Sequence, residues 1–265
     1  MPLDALDGIR FAFGTLTVLP VRVARWDRGA ARAGMLWAPL AGLVVGLFAA
    51  ALGGLLLLLN ADPLLAAVAT VAVPAALTRG LHLDGLADTA DGLGSGAHTT
   101  AADALRIMKQ SDIGPFGVIT LVFVLLAQVA ALTGLYGHGW AYGALGAAVS
   151  GVTARLALTL AARTGVPAAR PEGLGAAVAG VVPVRRGVAV AALVTAGCAA
   201  AGALFGTCGT YGAVHHALAV LTGLVLAQLL LRHCVRRFGG VTGDVFGALA
   251  ETAATASLIA LVLGP

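Results

Sequence analysis

From Gly34 to Leu59 the chain carries no charged side chain, and it closes on an unbroken run of leucine from Leu55 to Leu59. About 20 apolar residues in a helix cross the hydrocarbon core of a bilayer. Inside lipid only helices and closed barrels satisfy every backbone polar group. A barrel strand alternates between lipid-facing and lumen-facing residues, and this run does not alternate. The stretch therefore dictates a membrane helix.

Six further stretches read the same way, at 63–80, 115–136, 140–163, 187–206, 214–232 and 245–263. The chain is 59% hydrophobic and 11% charged, against roughly 45–50% and about 25% in soluble domains, so no soluble domain is expected. The expected fold is all-α: a polytopic membrane protein of about seven transmembrane helices forming one domain over residues 1–265. The segment "ALDGIRFAFGTLTVLPV" before them is too short and interrupted to span. It reads as an interfacial or re-entrant amphipathic segment ending at Pro20. Asp4 and Asp7 stand where a signal peptide carries positive charge, so no targeting peptide is expected. Cys198, Cys208 and Cys234 have neither paired number nor metal-ligand spacing and read as buried thiols.

The connections alternate in character. "NAD" (60–62), "GHG" (137–139) and "GTCGTYGA" (206–213) hold no Lys or Arg, whereas the N-terminal segment and the connections at 81–114, 164–186 and 233–243 are basic. Arg79, Arg155, Arg163 and Arg232 fall within helices, toward the ends nearest those basic loops. All 16 Lys and Arg thus fit on one side of a seven-helix arrangement, which the positive-inside rule makes the cytoplasm, with the N-terminus in. Every acid except Asp62 lies on that side too. The expected location is the cell (inner) membrane, with a working surface on the cytoplasmic side. The net charge of +4 belongs to those loops, and no nucleic-acid partner is expected. A homo-oligomer remains open.

The most concentrated polar feature is "HLDGLADTADG" at 82–92, with Asp84, Asp88 and Asp91 at i, i+4 and i+7. On a helix these share an arc of about 60°. Like charges so placed repel, and carboxylates beside a span are expensive without a partner. A divalent cation resolves both, and hard oxygen ligands point to Mg²⁺. The competing reading is a solvated acidic turn. His82 projects away from the Asp face and reads as structural. A second acidic stripe, Asp244 and Glu251 at i and i+7, runs into the last span after "GGVTG". Asp244 alone would also suit a helix N-terminus, whereas Glu251, about two turns in, must face the bundle interior, be protonated or find a cation. Arg106, Lys109 and Ser111 in "RIMKQSDIGPFG" have the composition of an anion site, or of an ordinary positive-inside loop. Arg170 and Glu172 in "AARPEGLGAA" form a fourth candidate. Acids for a cation tethered to bases for a phosphate suit transfer of a phosphate-linked group.

Taken in order, "HLDGLADTADGLGSG", "RIMKQSDIGPFGV", "ARPEGLGAA" and "RRFGGVTGDVFGAL", with the opening "GIRFAFGTLTVLPV", resemble the cobalamin synthase family of adenosylcobinamide-GDP ribazoletransferases. The likeness runs over essentially the whole chain. It implies an Mg²⁺-dependent membrane enzyme that joins α-ribazole, or its 5′-phosphate, to adenosylcobinamide-GDP, giving adenosylcobalamin (or its phosphate) and GMP. On that reading Asp84, Asp88, Asp91 and Asp244 hold the metal and act in catalysis, with Asp91 taking the hydroxyl proton. Arg106, Lys109, Ser111, Arg170, Glu172 and Glu251 are the substrate-binding candidates. Many relatives have "DSRIG" where this chain has "QSDIG", so Asp112 stands in place of a cation, and the family's anion-binding role in that motif carries over to Lys109 and Ser111 only. Two other classes use related parts. A CDP-alcohol phosphotransferase requires DGxxARx₈Gx₃Dx₃D, but "DGLAD" lacks the Arg and no second Asp pair follows at the required spacing. A secondary transporter would show repeated halves and charges near the midplane, and neither is evident.

Overall fold

The computed structural model describes residues 5–96, 99–206 and 209–263. Among the described residues the elements are α1 (Ala5–Leu16), α2 (Arg28–Leu58), α3 (Pro63–Leu77), α4 (Leu81–Gly94), α5 (Ala101–Ile107), α6 (Pro115–His138), α7 (Trp140–Ala161), α8 (Gly173–Val178), α9 (Val184–Phe205), α10 (Thr210–Phe238) and α11 (Gly243–Val262). Six of them, α2, α6, α7, α9, α10 and α11, are long and apolar enough to cross a membrane, and all six lie where the hydropathy of the sequence places a span. Cys198 and Cys234 are buried free thiols; Cys208 lies outside the described residues.

The seventh span departs from expectation. The predicted stretch 63–80 stops at Leu77, and the chain turns by 88° into α4. Arg79 and Gly80 both adopt left-handed backbone, with φ of 54° and 71°, the conformation that commonly ends a helix. For Arg79 this costs roughly 1–2 kcal/mol, offset by what α4 packs against once turned. The expected 81–114 connection is therefore not a simple loop, since it holds both α4 and α5.

The bundle is inverted relative to a soluble one. Phe123 and Leu193 face outward, 68% and 74% exposed, while Ala30, Ala38, Ala41 and Ala248 are fully enclosed. Lipid removes the hydrophobic drive between helices, so small residues that allow close backbone approach set the contacts. Along α2 and α7, a Cβ on Gly42 would strike the Gly151 carbonyl, and one on Gly46 would lie 2.7 Å from the Ala147 oxygen.

The connections at one end of the bundle are tied together. Thr164 N donates to Val182 O at 2.8 Å and Val182 N to Ala162 O at 3.0 Å. Ala169 N donates to Val241 O and Val241 N to Pro167 O, both at 2.9 Å. Arg28 Nη2 reaches Ala179 O at 3.1 Å. The chain leaving α1 joins the same end, Val18 N donating to Leu77 O at 2.7 Å. At the opposite end Asp62 caps α3, accepting from Leu64 N at 2.8 Å, which explains an acid so far from the others. Gly54, by contrast, faces open space. Gly42→Leu is expected to lower thermal stability in detergent by at least the roughly 1–3 kcal/mol of an overpacked core, while Gly54→Leu leaves the melting curve unchanged.

Candidate active site

Two glycines set the site. α4 lies so close against α11 that a Cβ on Gly85 would come within 2.6 Å of the Asp244 carbonyl oxygen, and one on Gly247 within 2.9 Å of His82 O. This crossing brings the first acidic stripe against the start of the second. Along α4 burial grows, Asp84 being exposed, Asp88 half-buried and Asp91 buried. Asp244 opens α11 behind its N-cap Thr242 and accepts from the Thr242 hydroxyl at 3.1 Å. Burial, and then the neighbouring carboxylates of Asp84, Asp244 and Asp91, push the Asp88 carboxyl up to about 7.

Arg170 faces this group. Its Nη1 lies 3.7 Å from Asp244 Oδ2, and its Nη2 donates to Leu105 O at 2.5 Å, pinning it to α5. Glu172 stands at the N-terminal end of α8, where its side chain makes no capping hydrogen bond, and its Oε1 lies 3.7 Å from Lys109 Nζ, both side chains well exposed. Asp244, Arg170 and Glu172 share a cavity of about 280 Å³ with His82, Thr242, Gly175 and a set of apolar side chains. The four sequence motifs therefore meet at one end of the bundle.

Other expected residues go elsewhere. Both oxygens of Asp91 are engaged: Oδ2 accepts from Gly114 N at 2.8 Å and Oδ1 from Gly117 N at 2.9 Å. Expected as the proton acceptor, Asp91 is instead the N-terminal anion of α6, where a carboxylate meets unpaired amides and the positive end of the helix dipole. Arg106 turns to Asp103, at 3.1 Å. Ser111 is exposed and has no hydrogen-bond partner among the described residues. Glu251 does not line the cavity; it faces the bundle interior, where Gln128 Nε2 donates to its Oε2 and to Thr255 Oγ1, both at 2.9 Å.

Arg155 is the residue that sequence reasoning placed least well. It is 3% exposed, and its Nε and Nη2 have no hydrogen-bond partner. Its position six residues inside the end of α7, too deep to snorkel easily, was the available signal. His82 is also 3% exposed with an unpartnered Nε2. Burial, and then the Arg155 charge, hold this imidazole well below the usual histidine range.

Among the described residues, no three Asp, Glu, His or Cys side chains converge to hold a metal unaided. Mg²⁺ asks for less, commonly one or two carboxylates with water and substrate phosphate completing the shell. The carboxylates of Asp84 and Asp88 have no hydrogen bond or ion pair among the described residues, and the crowding of like charge on Asp88 is of the kind a cation relieves. The donor set fits.

The chain matches the family described as cobalamin-5-phosphate synthase over residues 8–262. It belongs to that family. It is 44% identical to the adenosylcobinamide-GDP ribazoletransferase of Frankia casuarinae over 263 residues, covering 96% of this chain and 94% of the relative. Its identity to the enzyme of the same name from Nocardioides sp. is 42% over 255 residues, 96% and 97% of the two chains. For the Pseudomonas aeruginosa protein it is 40% over 268 residues, 98% and 99%. No solved structure matches.

The two roles of neighbouring acids separate in a melting experiment without metal. Asp91→Ala is expected to lower stability by about 1.5–3 kcal/mol, the range for hydrogen bonds to charged groups. Asp88→Asn is expected to raise the melting temperature by a few degrees at pH 8. Because its carboxyl is raised in the folded state, the ionised form disfavours folding above about 7. The gain therefore fades as pH falls toward the ordinary aspartate range, where both states are protonated.

Proposed function

We propose that the chain is an adenosylcobinamide-GDP ribazoletransferase working at the cytoplasmic face of the cell membrane. The observation that carries this reading is the meeting of Asp84 and Asp88 with Asp244 and Arg170 beside one cavity, in a chain of this family. The side rests on the one-sided distribution of Lys and Arg. Mg²⁺ is the proposed cofactor, with Asp84 and Asp88 its ligands and water and substrate phosphate completing the shell. When bound it supplies charge neutralisation at the pyrophosphate.

The protein's own part is binding and positioning. Arg170, fixed by Leu105, presents a planar donor fork suited to phosphate oxygens. Lys109, on an exposed side chain, adds a mobile positive charge at the mouth. A ribose hydroxyl of α-ribazole attacks the phosphorus that bears cobinamide. The new P–O bond forms as the bond to the GMP phosphate breaks, and GMP leaves with that electron pair. The hydroxyl proton passes to a carboxylate of the cluster with a free oxygen, a role that the engagement of Asp91 leaves to its neighbours. Asp91 serves by holding α6 against α4.

Purified protein in detergent or nanodiscs, given adenosylcobinamide-GDP, α-ribazole and Mg²⁺, is expected to release GMP and form adenosylcobalamin. Asp84→Asn and Asp88→Asn are each expected to lower turnover by at least about a hundredfold, as loss of a charge-stabilising group does. Both variants still insert in the membrane. Retention of Mg²⁺-dependent turnover in the double variant would falsify the assignment of the cluster. Apparent Mg²⁺ affinity is expected to weaken between pH 8 and pH 6, since protons compete for Asp88.

A further inference from the structure

The 280 Å³ cavity beside Asp244 is far too small for a corrinoid and close to the lower end of the roughly 300–1,000 Å³ typical of ligand pockets. A single nucleoside matches it in size. Its walls are graded. Leu16, Leu158, Val241 and Phe246 are buried hydrocarbon; Arg170 and Asp244 are less enclosed, and Glu172 is 76% exposed at its side chain. Glycine backbone at Gly173, Gly175, Gly243 and Gly247 completes the lining. Flat, apolar surfaces and one aromatic ring suit a planar base.

One polar group among the buried lining residues has nothing to bind. His82 lines the cavity, and its Nε2 is buried without a partner, so the imidazole has to turn toward the cavity for that nitrogen to meet a ligand. Such a group costs roughly 1–3 kcal/mol until something pairs with it. Guanine presents several polar atoms along one edge and would need several partners. A benzimidazole nucleoside presents hydrocarbon and a single free ring nitrogen.

We propose that this cavity seats the acceptor nucleoside, its benzimidazole base among the apolar side chains with its free nitrogen on His82, and its ribose toward Asp244. This rests on the transferase reading and adds which substrate occupies the cavity and which residue selects its base. The nucleotide donor is thereby left to the open Asp84 and Asp88 side, where its size is unconstrained. His82 is a specificity residue here, acting as a hydrogen-bonding group to the base.

Two variants test it. His82→Leu removes the partner while keeping bulk. Gly243→Val adds a branched side chain at a lining position where an added Cβ meets no atom within 4 Å. For both, KM for α-ribazole is expected to rise about tenfold or more, with KM for adenosylcobinamide-GDP little changed. His82→Gln, which can still pair with the ring nitrogen, is expected to restore most of the loss. Equilibrium dialysis of α-ribazole alone against the full-length protein, without donor or Mg²⁺, is expected to show the same weakening. If His82→Leu fails to fold, Gly243→Val decides the matter. A rise confined to KM for the donor would assign the cavity to guanine and overturn the proposal, as would unchanged α-ribazole binding by Gly243→Val. An active wild-type enzyme whose variants do not discriminate overturns only this inference. A wild-type protein that neither turns over nor binds α-ribazole overturns the transferase reading with it.

Discussion

The close crossing of α4 on α11 is the contact on which the site depends. Its partners are Gly85 and Gly247, residues with no side chain to keep the backbones apart. Asp84 and Asp88 are far from Asp244 in sequence, and they approach only because these two helices touch. The contact works against electrostatics, since it gathers like charges in a half-buried place. Packing and the Arg170 guanidinium hold the acids together. The same crossing also offsets the left-handed turn at Arg79 and Gly80 that α4 requires.

Much of this was legible from residues alone, because the spans are long and their periphery is charged on one side only. The six long helices begin and end within six residues of the hydropathy boundaries, the largest differences falling at the start of α2 and the end of α10. The acid stripe on α4 follows from i, i+4 and i+7 spacing. Legibility failed where an interaction is non-local. The turn after Leu77 carries one glycine and no proline, so nothing local marked a bend of 88°. Asp91 has the same residue type and face as Asp84 and Asp88. Only the arrival of Gly114 and Gly117, two dozen residues later, separates its task from theirs. Arg155 resembled a loop-facing cation because depth within a bundle is not written in residue order.

Division of labour among similar groups is the chemical theme of the site. The α4 acids share a helix yet differ by burial and partner, from the exposed Asp84 to the amide-bound Asp91. Arg170 and Lys109 are both cations near one cavity, one fixed by Leu105 and Asp244, the other on an exposed side chain facing Glu172. The first is fixed in direction, while the second is free to sweep a wider volume.

The shortness of α3 has a consequence for the surrounding lipid. Its 15 residues reach about 22 Å, less than the ~30 Å hydrocarbon thickness. Starting from its cap at Asp62, it ends before the opposite headgroups are reached, and α4 turns aside at that depth. The bilayer must dimple there or the bundle must tilt. Where the bilayer dimples to meet α4, its carboxylates stand at the level of the lipid headgroups, where water is scarcer than in the cytosol. Attraction between opposite charges strengthens as the local dielectric falls, an advantage that a membrane supplies even to an enzyme whose substrates are not lipids.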